Sequence, residues 1–318
     1  MNSENMLDVG EKQAGLVETL WNKLSILEEP RYLKHLLLVP VLIFFIVWNV
    51  IPLFWLLGLS FYKYVLVLGE PIRFIGLANF TEIFSSFEIW HALSNTFLFV
   101  LIGAGTQTVL GIFLGFIFWG SKDLPGRRIA LTLFFTPMIL APLATGSFFT
   151  LIYDPMFGIL NYFINGLFGI TIDFLGSRAW AFPAVLIVDT WMWTPFMTLM
   201  TLAALGAVPK AELEAAEIEN LSWYKRLTKV ILPHSKFILM LGILLRTIDS
   251  FKSMDLIFNM TRGGPGNATE LIGLTLYRQA FNAFTMGKAS ALAIISLFIA
   301  IAFTSIYLYV LKRKEAAA

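Results

Sequence analysis

Leu36–Ser60 reads LLLVPVLIFFIVWNVIPLFWLLGLS, a run of 25 residues without a single charge. A helix needs about 20 mostly apolar residues to cross the hydrocarbon core of a bilayer. Five further runs qualify: Asn95–Trp119, Ile129–Tyr153, Phe182–Leu205, Phe237–Phe258 and Ala289–Leu311. Prolines interrupt several of them (Pro40, Pro52, Pro137, Pro142, Pro195), which spanning helices tolerate when neighbours re-satisfy the freed backbone groups. The runs are too long and too uniform for barrel strands, which alternate over about 10 residues. The sequence therefore predicts an all-α, polytopic membrane protein with six transmembrane helices.

Composition agrees. Of 318 residues, 58% are hydrophobic and 14% charged, against roughly 45–50% and about 25% in a soluble domain. The formal net charge of +2 advertises no basic face, and no nucleic-acid partner is expected. The absence of cysteine excludes disulfides, thiolate catalysis and Cys-ligated metal centres.

Lysine and arginine set the orientation. With both termini in the cytoplasm, the inner segments hold Lys12, Lys23, Arg31, Lys34; Lys122, Arg127, Arg128; Lys210, Lys225, Arg226, Lys229, Lys236; and Lys312, Arg313, Lys314. The outer segments hold only Lys63, Arg73, Arg178, Arg262, Arg278 and Lys288. An N-in/C-in topology is expected, with residues 1–35 a cytoplasmic N-terminal segment, 36–311 the membrane domain and 312–318 a cytoplasmic tail. The first 30 residues lack the basic start, apolar core and cleavage site of a signal peptide. Leu16, Leu20, Trp21, Leu24 and Leu27 share one helical face, which suits an interfacial helix or a frayed tail.

The inner loop Pro209–Pro233, PKAELEAAEIENLSWYKRLTKVILP, carries the most information. Pro209 opens a run of strong helix formers whose first turns are acidic, where the helix dipole favours negative charge. Asn220 is a suitable stop because Asn tolerates the left-handed conformation. Ser222 is a candidate N-cap for a second, basic helix ending before Pro233. The small Ala215–Ala216 pair would admit another protein closely.

The spacing Glu214-Ala215-Ala216, then Asn220, then Val230-x-Leu232-Pro233 resembles the EAA loop of ABC importer permeases, with Asn220 where glycine is usual. A second segment agrees. Arg246–Ile257 followed by Met260-Thr-Arg-Gly263-Gly264-Pro265-Gly-Asn-Ala-Thr269 resembles the end of span five and the next loop in carbohydrate-type permeases, with Met254 in place of an aromatic. Phe74–Phe80 and Gly158–Asn161 also look like family segments. The resemblance covers roughly Leu36 to Leu311 and is to the permease subunit of binding-protein-dependent carbohydrate importers, of the maltose and glycerol-phosphate type.

The resemblance implies a type I importer permease fold in a bacterial cytoplasmic membrane and a heterodimer with a second, homologous permease. It further implies two ATPase subunits, an extracytoplasmic solute-binding protein and a sugar-like solute. The ATPases would be met by Glu212, Glu214, Ala215, Ala216, Glu217, Asn220, Leu232 and Pro233. No cofactor is expected on this chain, ATP and Mg being held by the partners, and the chain itself is not expected to be an enzyme. The solute could be an oligosaccharide, a polyol, or a phosphorylated or sulfonated sugar.

Ionisable groups at membrane depth are expensive and mark candidate functional sites. Arg246, Asp249, Lys252 and Asp255 recur at intervals of three, so they can form a self-neutralising ladder along one helix. Such a ladder is either a structural ion-pair strut or a wet wall offering hydrogen bonds to solute, with Ser250 beside it. Asp189, Trp191 and Trp193 lie within span four. Asp189 could face water near the outer mouth, and the indoles either stack on a sugar or pack between helices. Gly263, Gly264 and Pro265 read as a rigid outer docking turn, since the Lys-Ser/Thr ending of a phosphate loop is missing.

His35, His91 and His234 stand alone, without metal-ligand spacing. The alternative function is an ion- or proton-coupled secondary transporter using the Arg246/Asp249/Lys252/Asp255 ladder. Such carriers show inverted repeats and broken helices, neither of which is evident in the sequence. A membrane enzyme would need a polar catalytic cluster, which is likewise missing.

Overall fold

A computed structural model describes residues 30–67, 69, 71–120 and 125–315. The candidate interfacial helix at Leu16–Leu27 lies outside the described residues. The chain divides into two units, Met1–Leu59 and Ser60–Ala318.

In the first unit, α1 (Pro30–Phe45) runs through a π-helical turn, Ile46–Val50, into α2 (Ile51–Leu59). Leu37–Leu59 is long and apolar enough to span a membrane, and none of it is buried within the chain. The wide turn ends two residues before Pro52, where the Ile51 N–H bonds back to the Ile46 carbonyl. Proline has no N–H and its ring clashes with the carbonyl four residues back. One extra residue in the preceding turn moves that carbonyl aside.

The second unit opens with a short antiparallel pair, β1 (Tyr62–Lys63) and β2 (Arg73–Phe74), followed by α3 (Ala78–Ser85). Asn79 Nδ2 ties these together by donating to the Ser60 and Tyr62 carbonyls at 2.8 and 3.0 Å. The remaining elements are α4 (Phe87–Gly120), α5 (Arg127–Ile139), α6 (Pro142–Ile152), α7 (Ile159–Phe168), α8 (Ala181–Gly206), α9 (Lys210–Ile218) and α10 (Trp223–Arg226). After a second π turn, Leu227–Ile231, come α11 (Leu232–Phe251), α12 (Asp255–Met260) and α13 (Ile272–Tyr277). A third π turn, Arg278–Asn282, precedes α14 (Met286–Glu315).

Two expectations about the spans are corrected. The third is not one helix, because α5 and α6 meet at 100° across a short break. Leu140 and Ala141 are extended there, as the residue before Pro142 must be. The fifth apolar helix runs from Trp223 to Phe251, so the basic helix does not end before Pro233. The π turn, closed by the Leu232 N–H on the Leu227 carbonyl, lets the helix pass through Pro233. The chain then breaks at Lys252–Met254, and Asp255 begins α12.

The packing centre is the α4–α8 pair. Gly103, Gln107, Gly111 and Gly115 follow one another at intervals of four on α4, forming one ridge of the surface. A Cβ at Gly115 would lie 2.5 Å from Thr201 Cγ2, and one at Gly111 would lie 2.8 Å from the Met197 carbonyl carbon. Only glycine admits so close an approach, the usual device of packed membrane helices. The threonines of α8 bury without penalty because they donate to their own helix, Thr194 to Thr190 O (2.6 Å), Thr198 to Thr194 O (3.0 Å) and Thr201 to Met197 O (2.8 Å). One apolar cluster is built on Phe99, Val185, Val188, Leu256 and Leu271, and a second on Ile83, Ala92, Phe251 and Leu292.

Gly115→Leu should overpack the α4–α8 seam. A destabilisation of about 1–3 kcal/mol is expected, read as a lower thermal midpoint of the detergent-solubilised protein. An unchanged midpoint would show that the two helices are not pressed together there.

Candidate functional site

The loop between α8 and α11 folds as a helical hairpin. Alpha-9 ends in a Schellman turn: the Leu221 N–H bonds Ala216 O at 3.0 Å and the Asn220 N–H bonds Glu217 O at 3.0 Å. Asn220 takes φ 48°, the left-handed conformation that residue tolerates best after glycine. Ser222 stands at the N-cap of α10, but its side chain makes no capping bond. Arg226 reaches back to Glu217 at 3.0 Å, and His234, expected to be isolated, contacts Glu212 at 2.7 Å.

The apolar side of the hairpin seats on Leu205, Val208 and Ile231, with Phe116, Trp119 and Leu213 packed around them. Ala216 belongs to this buried side at 3% exposure. Only Ala215 of the small pair is presented outward, which corrects the expectation for Ala216. The outer side carries Glu212, Glu214, Glu217 and Glu219 together with Ile218, Trp223 and Tyr224. Leu232 and Pro233 are exposed beside it.

The charged residues at the far end of α11 are arranged across helices, not along one. Arg246 is 2% exposed. Its Nη2 meets Asp189 Oδ2 at 2.6 Å, its Nε donates to Gln107 Oε1 at 2.5 Å, and its Nη1 reaches Asp249 Oδ2 at 3.2 Å. Gln107 Nε2 completes the ring by donating to Asp189 Oδ2 at 2.7 Å. The guanidinium carbon lies 4.9 Å from the Trp193 ring centroid, a cation–π contact.

Asp189 is therefore buried and paired, not facing water alone. The ladder stops at Lys252, 3.3 Å from Asp249; Asp255, on the next helix, makes no ion pair among the described residues. Arg246 sits five residues from the end of α11, about 8 Å. Trp191 points away from the network, 44% exposed and edge-on to Phe149 at 5.3 Å. Ser250 is fully buried with its hydroxyl unpartnered. Gln107 was missed in the sequence, although a lone amide in an apolar span marks a position that needs a partner.

Asp189, Trp193, Asp249, Lys252, Ser253 and Asp255 contribute to one cavity of about 370 Å³, which Pro142 reaches from the break between α5 and α6. A groove of about 420 Å³ along Phe97, Leu101, Thr247, Ile248 and Phe303 is almost wholly apolar, with no charged group to hold a polar solute.

The Gly263–Pro265 turn is rigid. Gly263 takes φ 80°, where a side chain would be strained and a Cβ would collide with the Glu270 carboxylate. Thr261 and Thr269 hydroxyls meet at 2.6 Å, and Thr269 donates to Gly264 O at 2.9 Å. Asn95 Nδ2 anchors the following segment on Asn267 O, Ala268 O and Glu270 O at 3.2–3.4 Å. Burial raises the Glu270 carboxyl pKa, opposed by Arg278 at 2.9 Å and a hydrogen bond from Thr275.

A family model described as "Binding-protein-dependent transport system inner membrane component" matches residues 107–316, and the chain belongs to that family. The trehalose/maltose transport system permease MalF of Thermococcus litoralis is 31% identical over 281 residues, covering 87% of this chain and 93% of that protein. The sulfoquinovosyl glycerol transport system permease SmoG of Agrobacterium fabrum is 30% identical over 317 residues, covering 99% and 100%. A chain in the crystal structure of a bacterial alginate ABC transporter, in complex with an alginate pentasaccharide-bound periplasmic protein, shares the fold. Its TM-score is 0.78 at 17% identity, covering 92% of this chain and 97% of that one. The fold is that of ABC importer permeases, mostly helical, and among the described residues five helices are long and apolar enough to cross a membrane, or six if the bent α5–α6 pair is counted as one span.

Arg246→Met should cost about 3–5 kcal/mol, because it strands a buried carboxylate. Adding Asp189→Leu should restore at least half of the lost thermal stability; a double variant no better than the single one would show that the two charges are not coupled. At the outer turn, the folded state holds more protons than the unfolded one above pH 4.5, the ordinary value for Glu270. Stability therefore falls as pH rises from there through the raised pKa. Glu270→Gln should flatten that slope in a pH series of thermal midpoints.

Proposed function

We propose that this chain is the membrane-spanning subunit of an ATP-driven importer for a sugar or sugar-like solute delivered by a solute-binding protein. The observation that carries the reading is the exposed acidic hairpin, closed by the Asn220 turn and seated on the ends of α4 and α8. Family membership and the printed roles of the relatives support it. In this reading a second permease completes the translocation path, and two ATPase subunits hold ATP and Mg. They grip the surface formed by Glu212, Glu214, Ala215 and Glu217 with Ile218, Trp223 and Tyr224. The last three are 82%, 65% and 70% exposed, large apolar groups of the kind that anchor interfaces.

The hairpin faces the cytoplasm, as the lysine and arginine distribution indicates, and the Gly263–Pro265 turn faces the binding protein. Residues 36–311 act as the membrane domain in contact with lipid, flanked by cytoplasmic segments 1–35 and 312–318. The solute passes the cavity bounded by Trp193, Asp249, Lys252 and Asp255, with Asp189 and Arg246 behind its wall. Closure of the ATPases on ATP biases a two-state permease toward the outward-open form. Against the ion-coupled alternative stands the burial of Arg246, one of its four relay groups, in a pair with Asp189 inside the helix bundle. The break between α5 and α6 does remove the unbroken-helix argument against that alternative.

Gentle detergent extraction at native expression, followed by mass spectrometry, tests the assembly. Recovery of an ABC ATPase and a second permease is expected; a lone chain still active in uptake after reconstitution would overturn the reading. Glu214→Lys places a repelling charge on the gripped surface. It should reduce solute-stimulated ATP hydrolysis and uptake at least tenfold at normal expression, and normal uptake in that variant would falsify the docking assignment.

A further inference from the structure

We propose that the cavity at the head of α11 selects uncharged, polyhydroxylated solutes, neutral saccharides, and disfavours phosphorylated or sulfonated ones. The inference rests on the importer reading above. An anionic solute is best held by a cation that no carboxylate already counters, and none lines the cavity. Arg246 is 2% exposed, and its three nitrogens already meet Gln107, Asp189 and Asp249. Lys252 is exposed, but its ammonium lies 3.3 Å from Asp249.

Asp255 stands in the same wall without an ionic partner among the described residues. Lys252 is countered by Asp249, and Asp255 adds a further carboxylate to the wall. The unbalanced charge is negative and is the one open to the cavity. A second polar cavity, of about 410 Å³ beside the Gly263–Pro265 turn, sets Glu88 and Glu270 against Arg278, so it supplies no surplus of positive charge either.

What remains suits a sugar. Asp249 and Asp255 accept hydrogen bonds from hydroxyls, and Lys252 and Ser253 donate to them. Trp193, Met254 and Pro142 present apolar surface to C–H faces. Hydroxyl groups bring both donors and acceptors and no net charge, matching a wall of mixed polarity with a spare carboxylate. Of the two relatives, one is named for trehalose and maltose and the other for a sulfonated glycoside; the cavity places this chain with the former in solute charge.

The test uses the importer purified with its own ATPases, partner permease and binding protein, reconstituted in ATP-loaded vesicles. Radiolabelled probes are offered in pairs sharing one scaffold: trehalose and trehalose 6-phosphate, maltose and maltose 1-phosphate, glucosyl glycerol and sulfoquinovosyl glycerol. At least one neutral member should enter at ten times or more the rate of its anionic twin. Asp255→Lys should narrow that ratio below threefold and Asp255→Asn should at least halve it, with ATPase recovery unchanged; this assigns the discrimination to the cavity and not to the binding protein. Equal or faster entry of an anionic twin overturns the proposal, as does a ratio that neither variant moves. Failure of every probe while the ATPases remain bound overturns the solute class and leaves the importer reading standing. Absence of ATPases from the preparation overturns the importer reading itself.

Discussion

A guanidinium with almost no exposure to solvent holds the second unit of this protein in register. Arg246 joins α11 to α8 through Asp189 and to α4 through Gln107, and a charge in such a place is tolerable only when it is paired and hydrogen-bonded throughout. The condition constrains the whole bundle. Gln107 can reach Asp189 only because glycines on either side of it in the 103–115 row bring α4 against α8. Asp189 can be buried only because Arg246 arrives from the third helix. A one-residue slip between α8 and α11 would leave a bare charge in an apolar interior, and a slip of α4 would leave its hydrogen bonds unmade, so the cluster penalises alternative packings more severely than apolar contacts do.

Prolines shape the chain by two different routes. Val50 and Ile231 each end a π turn two residues before a proline, Pro52 and Pro233. In both places the helix survives because the wider turn absorbs the clash and the missing donor. At Pro142 no such turn precedes the ring, Leu140 and Ala141 are extended, and the helix breaks at 100°. The difference has a functional consequence. The intact passage through Pro233 makes Trp223–Phe251 one helix, while the break at Pro142 opens the wall into which the charged cavity is set.

The sequence disclosed what depends on local periodicity and local backbone preference. Long uncharged runs exposed the spans, and Asn220 was recognisable as a helix stop because its own conformational tolerance decides the turn. It disclosed much less of what depends on partners distant in the chain. Arg246, Asp249, Lys252 and Asp255 repeat every third residue, and on a straight helix they would neutralise one another. The helix ends at Phe251, however, and the best partner of Arg246 is 57 positions away. Interval counting also could not show that Ala216 is covered by its own hairpin or that Trp191 turns from the cavity while Trp193, two residues on, lines it. The fate of each proline was equally hidden, since the compensating π turns have no residue signature of their own.

The two candidate surfaces lie at opposite ends of one helix, and this bears on how an importer of this design would work. Trp223 and Tyr224 begin the helix on the hairpin, and Asp249 ends it at the cavity, about 39 Å away at 1.5 Å per residue. Among the described residues between them, the only departure from regular α geometry is the π turn at Leu227–Ile231, and the Arg246 cluster grips the helix near its far end. A displacement applied at the hairpin therefore reaches the cavity with little lost to bending. It must also be shared with α4 and α8, because Arg246 cannot leave Gln107 and Asp189 without stranding a charge. The ion cluster is better understood as the clamp that makes these helices move as one body than as a group that meets the solute. On that view the groups left to touch cargo are Lys252 and Asp255, which lie outside the clamp, and the faces of Trp193 and Asp249 turned away from Arg246.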